Sequence, residues 1–127
     1  MIKTKFKQPY NAAGNTTLLK DYKTGVYIIK ENGKVVYIGV SLRNIYKTLY
    51  RHFENWNHAN QDVTCYDIDS KKYTYRVVFC TESQAHVLEK ILIKKLKPRD
   101  NRHKHESYAI EKYRKQVYNM YLSTPSI

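Results

Sequence analysis

One carboxylate is set apart by its position. Ala85, Leu88, Leu92 and Leu96 recur at helical spacing and define an apolar stripe over 82–97. Glu89 follows Leu88 directly, about 40–60° from the stripe centre at ~100° per residue, so it turns toward the buried side. Lys90, Lys94, Lys95 and Lys97 carry the ordinary solvated charge of the same segment. A carboxylate at that edge needs a cation or hydrogen-bond donors. Two partners meet the need. One is a basic side chain, giving a buried salt bridge. The other is a divalent ion beside a phosphate, since Mg2+ is often held by only one or two carboxylates plus substrate oxygens.

The second unusual feature is tyrosine, 13 of 127 residues. A phenol packs as a hydrophobe, keeps a hydrogen-bonding hydroxyl, stacks on bases and can take part in proton transfer. The third is charge. Lys and Arg total 23 against 11 Asp and Glu, a net charge of +12, which favours a polyanionic partner. After Pro98, the basic segment Arg99, Arg102, His103, Lys104 and His105 suits contacts to backbone phosphates that weaken with salt. His103 and His105 have no matching second pair for a metal site.

Composition excludes several classes. Hydrophobic residues make up 42% of the chain, enough for a core, and only 4 Gly and 3 Pro argue against a low-complexity chain. No apolar run is long enough to span a bilayer, and the basic start, Met1 to Lys7, lacks a signal-peptide core. Cys65 and Cys80 are isolated, without zinc-finger or disulfide spacing, so a reduced cytoplasmic protein is expected.

The elements that must position these residues follow from pattern. Residues 1–22 show no periodicity and read as an extended arm. β-Branched and aromatic runs flank Asn32-Gly33, predicting a hairpin of strands at 26–30 and 35–39. Ser41 is placed as the N-cap of a helix over 42–56, with Ile45, Leu49, Phe53 and Trp56 on one stripe. Residues 57–71 read as a polar loop. A third strand is expected over 73–79. Thr81-Glu82-Ser83-Gln84 has capping-box spacing and opens the Glu89 helix, which Pro98 stops. A last helix over 107–122 carries Ile110, Tyr113, Val117 and Tyr121 on one side and Lys112, Arg114 and Lys115 on the other. The order β-β-α-β-α-α is an α+β pattern around a small sheet. The expected division is an arm (1–22), a central domain (23–106) and a C-terminal helix packed on it (107–127).

The two hairpin strands read Gly25-Val26-Tyr27 and Tyr37-Ile38-Gly39, separated by nine residues. This pair resembles the signature of the GIY-YIG endonuclease family, with a spacer a little shorter than usual. The second half of the chain strengthens the likeness: Glu89 runs into a Lys/Pro segment that ends in Asn101, twelve residues on, as in the family. The resemblance covers about 24–101. It implies a small three-stranded antiparallel sheet flanked by helices, and Mg2+-dependent (or Mn2+-dependent) hydrolysis of a DNA phosphodiester. Tyr27 is then the general base or orients the attacking water, Tyr37 sits beside it, and Glu89 binds the ion. Asn101 orders the site or contacts the phosphate backbone.

One position departs from the family. The family carries an Arg on the first helix, aimed at the scissile phosphate. Here that position falls on Thr48, counted back from Arg51-His52-Phe53, or on Lys47, counted forward from Gly39. Arg51 is the favoured substitute, a long guanidinium about 60° around the helix from Thr48. Lys47 and Arg43 are the other cations in reach. A third reading is a weakened, nucleic-acid-binding relic. His52 lies four residues after Thr48 and matches a family His that shares proton handling. The expected partner is DNA, with RNA as a weaker alternative, and Arg43, Lys47, Arg51, Arg99, Arg102 and Lys104 as its contacts. Specificity is expected to be low, structure-directed, or supplied by a homodimer or another partner.

Overall fold

Two β-branched runs fold back on each other at Asn32-Gly33, where φ is +51° and +81°. Positive φ at both positions is what a two-residue hairpin connection of the right twist requires, and Asn-Gly adopts it at least cost. In a computed structural model, residues 1–9, 17, 24–51, 72–104 and 112–127 are described, with backbone alone at 50–51, 102–104 and 112–114. Their elements run β1 (Ile2–Lys3), β2 (Gly25–Glu31), β3 (Lys34–Ser41), α1 (Ile45–Arg51), β4 (Tyr73–Phe79), α2 (Glu82–Leu96), a 3-10 helix (Arg99–Lys104) and α3 (Lys112–Ser123).

The sheet has four antiparallel strands in the order β1-β4-β2-β3, one more than the three expected. The extra strand comes from the segment read as an arm. Ile2 and Lys3 pair with Phe79 and Val78, and a further bridge joins Lys7 to Tyr75. Two residues are too few to show a period. Lys3 also hides the strand, because a lysine suggests a solvated position. Its ammonium is buried instead, donating to the Tyr121 carbonyl at 2.9 Å. That bond supplies a partner for a group that would otherwise be costly to bury.

Alternation along the strands sorts side chains between two faces. Tyr27, Ile29, Tyr75, Val77 and Phe79 face α1 and pack with its Ile45 and Leu49. Val26, Ile28, Ile38 and Val78 face the other way, onto Ala85, Leu88, Leu92 and Ile93 of α2 and Val117 and Tyr121 of α3. The register slips by one between Ile29 and Lys30, which pair with Tyr37 and Val35 and leave Val36 as the extra residue of a β-bulge. Val36 and Tyr37 therefore both turn to the α1 face.

The helices differ from expectation at their ends. Ser41 is the last residue of β3, not an N-cap. Asn44 caps α1, its Oδ1 accepting the Lys47 N–H at 3.1 Å. The strand ran further than the hydrophobic pattern alone implied, because Val40 and Ser41 still pair with Val26 and Gly25. Phe53 and Trp56 lie outside the described residues, as do Ile110 and the start of the last helix. The capping box of α2 forms as read: Thr81 accepts the Gln84 N–H, and Gln84 accepts the Thr81 N–H. Lys97 ends that helix with φ +46°. Leu96 is about half exposed rather than part of the buried stripe, since the last turn has run past the sheet; Ile91 and Ile93 are buried instead. Among the described residues, no helix is long and apolar enough to cross a membrane.

Candidate active site

Tyr27 lies in the middle of β2, opposite Gly39 on β3, with its side chain 3% exposed. Its ring crosses directly over Gly39. A Cβ at 39 would fall 2.3 Å from both the ring Cζ and the hydroxyl, so only glycine leaves room. Gly25 has an equivalent role against β4: a Cβ there would fall 2.3 Å from the Val78 carbonyl oxygen. The two glycines of the paired triplets thus answer to close approach. The bulge at Val36 brings Tyr37 to the same face, its ring centroid 6.0 Å from that of Tyr27 at a 30° tilt, and the hydroxyls are hydrogen-bonded.

Asn101 fixes the strand that carries Tyr37. β3 is an edge strand, and the N–H and C=O of Ile38 point outward from the ladder. Asn101 takes both, its Oδ1 accepting the N–H at 2.8 Å and its Nδ2 donating to the carbonyl at 2.9 Å. The side chain acts as one residue of a further strand and closes the open edge beside Tyr37. Asn101 is 1% exposed and leaves helical geometry (φ −109°, ψ 18°), which kinks the 3-10 helix to bring its amide to the strand. Its geometry serves ordering, with both polar ends committed to backbone. Asn101→Ala leaves two buried backbone groups without partners, at about 1–3 kcal/mol each. A loss of roughly 2–6 kcal/mol in denaturant unfolding is expected, and an unchanged midpoint would contradict this placement.

Glu89 is buried on α2, as its offset from the stripe implies. The body of α2 covers the face opposite the tyrosine rings, and the Glu89 charge is a lesser cause of the raised Tyr37 pKa. Both α2 and the 3-10 helix pack against β3, the strand that carries Tyr37. Asp100 acts on the same phenol and was not singled out from the sequence. Its signal was adjacency to Asn101, which carries it to β3. Arg99 holds Asp100 by two bonds of 3.0 and 3.1 Å and also reaches Glu31 Oε2 at 3.0 Å, tying this segment to the end of β2.

Burial is the main reason the Tyr37 pKa is raised; the Tyr27 hydrogen bond opposes it, and the Glu89 and Asp100 charges add to it. Tyr37 therefore keeps its proton at neutral pH. The folded-state value lies above the unfolded one, so this phenol contributes stability that is lost as pH rises past ~10 through the folded value. A tyrosinate absorbance titration should show a late component that Tyr37→Phe reduces. Glu89→Gln should bring it partly down, because burial remains. No movement in Glu89→Gln would show that the carboxylate lies too far away to act.

The other expected residues divide as follows. Arg51 is the last residue of α1, with its side chain outside the described set, and His52 lies outside it altogether. Arg102 and Lys104 belong to the 3-10 helix, their side chains likewise outside. Arg99 is engaged by two carboxylates. Arg43 and Lys47 are exposed and line an open cavity of about 410 Å3 beside Thr48. The Thr48 hydroxyl bonds to the Asn44 carbonyl and to Ser41, each at 3.0 Å.

The donor set fits a hard divalent cation. Glu89 and the two phenols supply oxygen only, and the described residues contain no cluster of three His, Cys, Asp or Glu that would make an all-protein cage. A single carboxylate with phosphate and water completing the shell is the usual Mg2+ arrangement. A family model described as the UvrC-like GIY-YIG domain matches residues 23–102, well over half of the chain. No curated protein and no solved structure matches.

Proposed function

Because the chain belongs to the UvrC-like GIY-YIG family, a family of nucleases that generally use divalent metal ions, we propose that it is a Mg2+- or Mn2+-dependent DNA endonuclease. The observation that carries this reading is the Tyr27–Tyr37 pair, ring centroids 6.0 Å apart beside Gly39, on a strand that Asn101 braces and against which the helix of the buried Glu89 packs. In this reading an acid from the second half of the chain and two phenols from the first serve one site.

In this reading Glu89 holds the ion. When bound, the ion polarises the phosphate and stabilises charge on the leaving oxygen. Tyr37 stays protonated and serves as a hydrogen-bond donor. Tyr27 donates its hydroxyl hydrogen bond to Tyr37, keeps its proton, and leaves its oxygen lone pair to accept from the attacking water and orient it. Asn101 holds Tyr37 in place through β3 and touches no substrate. Arg51 and His52 are proposed to complete the site from the end of α1, with Arg102 and Lys104 on the DNA backbone. DNA is the proposed substrate and the cytoplasm the proposed location, with specificity supplied by DNA structure, a second copy or another partner.

Incubation with supercoiled plasmid and Mg2+ or Mn2+ tests the reading. Nicked or linear product that disappears in Glu89→Ala is expected. No product in either metal, or equal cleavage by the variant, contradicts it. A second reading, a binding module that does not cut, is favoured by Thr48, where a neutral hydroxyl tied to its own loop replaces the family's cation. A gel shift that survives EDTA with no product in any metal selects that reading.

A further inference from the structure

We propose that the cavity between the end of β3 and the start of α1 takes one phosphate of the DNA backbone, flanking the reacting one, on the cations of Arg43 and Lys47. The assignment rests on DNA being the ligand, as proposed above, and adds a subsite with its own residues.

The cavity, about 410 Å3, has Ser41, Arg43, Asn44, Lys47 and Thr48 in its lining and, among the described residues, no carboxylate. Its frame is tied together internally. Thr48 donates its only hydroxyl proton to the Asn44 carbonyl at 3.0 Å, so Ser41 must donate to Thr48 across their 3.0 Å contact. The N–H groups of Lys47 and Thr48 go to the Asn44 side chain and carbonyl, each at 3.1 Å. Thr24 donates to the Leu42 carbonyl at 3.1 Å and anchors the loop to the approach to β2. No hydroxyl proton of this network remains for a ligand, and the first-turn amides at 47 and 48 add nothing. Arg43 and Lys47 are different: both are exposed, and no ion pair joins either to another described residue. Among the described residues, two cations that no carboxylate neutralises stand over a polar frame, and such a frame selects an anion. A guanidinium and an ammonium together match phosphate oxygens, the first as a fork and the second as a point charge.

Position makes this a flanking subsite. None of Tyr27, Tyr37 and Glu89 lines the cavity. Its wall begins at Val40, immediately after the glycine under the Tyr27 ring. A strand whose reacting phosphate lies at the phenols therefore meets the cavity next along β3.

The test is the salt dependence of binding to a labelled DNA duplex in EDTA, read by fluorescence anisotropy. Each phosphate neutralised contributes about 0.9 to the slope of log affinity against log salt. Arg43→Gln/Lys47→Gln should therefore lower the slope by about 1, while Lys34→Gln/Lys115→Gln, a pair of exposed lysines elsewhere, leaves it unchanged. An unchanged slope in the cavity variant overturns the proposal. So does a drop of about 2 that is the sum of two independent single-variant losses, or an equal drop in the control pair. Plasmid cleavage by the wild-type chain separates the two readings. Cleavage with an unchanged cavity slope sinks this subsite and leaves the nuclease standing; a lowered slope with no cleavage does the reverse. No binding by the wild-type chain sinks both.

Discussion

Glu89→Gln is expected to remove cleavage while leaving the fold and DNA affinity in place. The substitution keeps the shape of a buried side chain and removes its charge. Charge stabilisation by a bound metal is worth several kcal/mol in a phosphoryl transition state, so a rate loss of about a thousandfold or more is expected in saturating Mg2+. Thermal unfolding should shift little, because the amide keeps the size and shape of the carboxylate. Binding in EDTA should be unchanged or slightly tighter, with one negative charge fewer near the backbone. Each outcome has a distinct meaning. Cleavage within a few-fold of wild type would remove Glu89 from the site. Lost cleavage together with lost folding would make it a structural acid.

The second large effect belongs to Gly39. A methyl group there would lie 2.3 Å from the end of the Tyr27 ring, which is buried and has little free space to enter. The ring must turn aside. Overpacking of this kind costs about 1–3 kcal/mol, more than the gain of up to ~1 kcal/mol that Gly→Ala confers by restricting the unfolded chain. Turning the ring also breaks the hydrogen bond to Tyr37, so cleavage should fall by a larger factor than stability explains. The Tyr27→Ala background separates the two effects. With the ring gone, Gly39→Ala should cost little stability, while activity stays lost. Equal destabilisation in both backgrounds would mean that the ring does not lie over this glycine.

Much of this site was legible in the residues, and the reasons differ by element. The hairpin was visible because Asn-Gly between β-branched runs admits few other conformations. The start of α2 was visible because a capping box is a local device, satisfied within four residues. Burial of Glu89 followed from helical phase alone. The first strand was not visible: it is two residues long and carries a lysine whose partner, the Tyr121 carbonyl, is 118 residues away in sequence. The true start of α1 was hidden because Ser41 and Asn44 are both good caps, and only pairing with Gly25 settles that Ser41 belongs to β3. The role of Asn101 was equally inaccessible. A twelve-residue spacing from Glu89 marks a position, but nothing in it shows that the amide meets the backbone of Ile38. Asp100 was missed because its effect on Tyr37 arises only from that long-range docking.

The central claim is that Glu89 and Tyr37 act on one phosphate although α2 and the tyrosine rings occupy opposite faces of the sheet. A double-mutant cycle on cleavage in Mg2+ tests it most directly, using wild type, Tyr37→Phe, Glu89→Gln and the double variant. Residues of one catalytic unit are strongly non-additive, so the double variant should be about as slow as Glu89→Gln alone. Rate losses that multiply, as for two independent sites, would contradict the account.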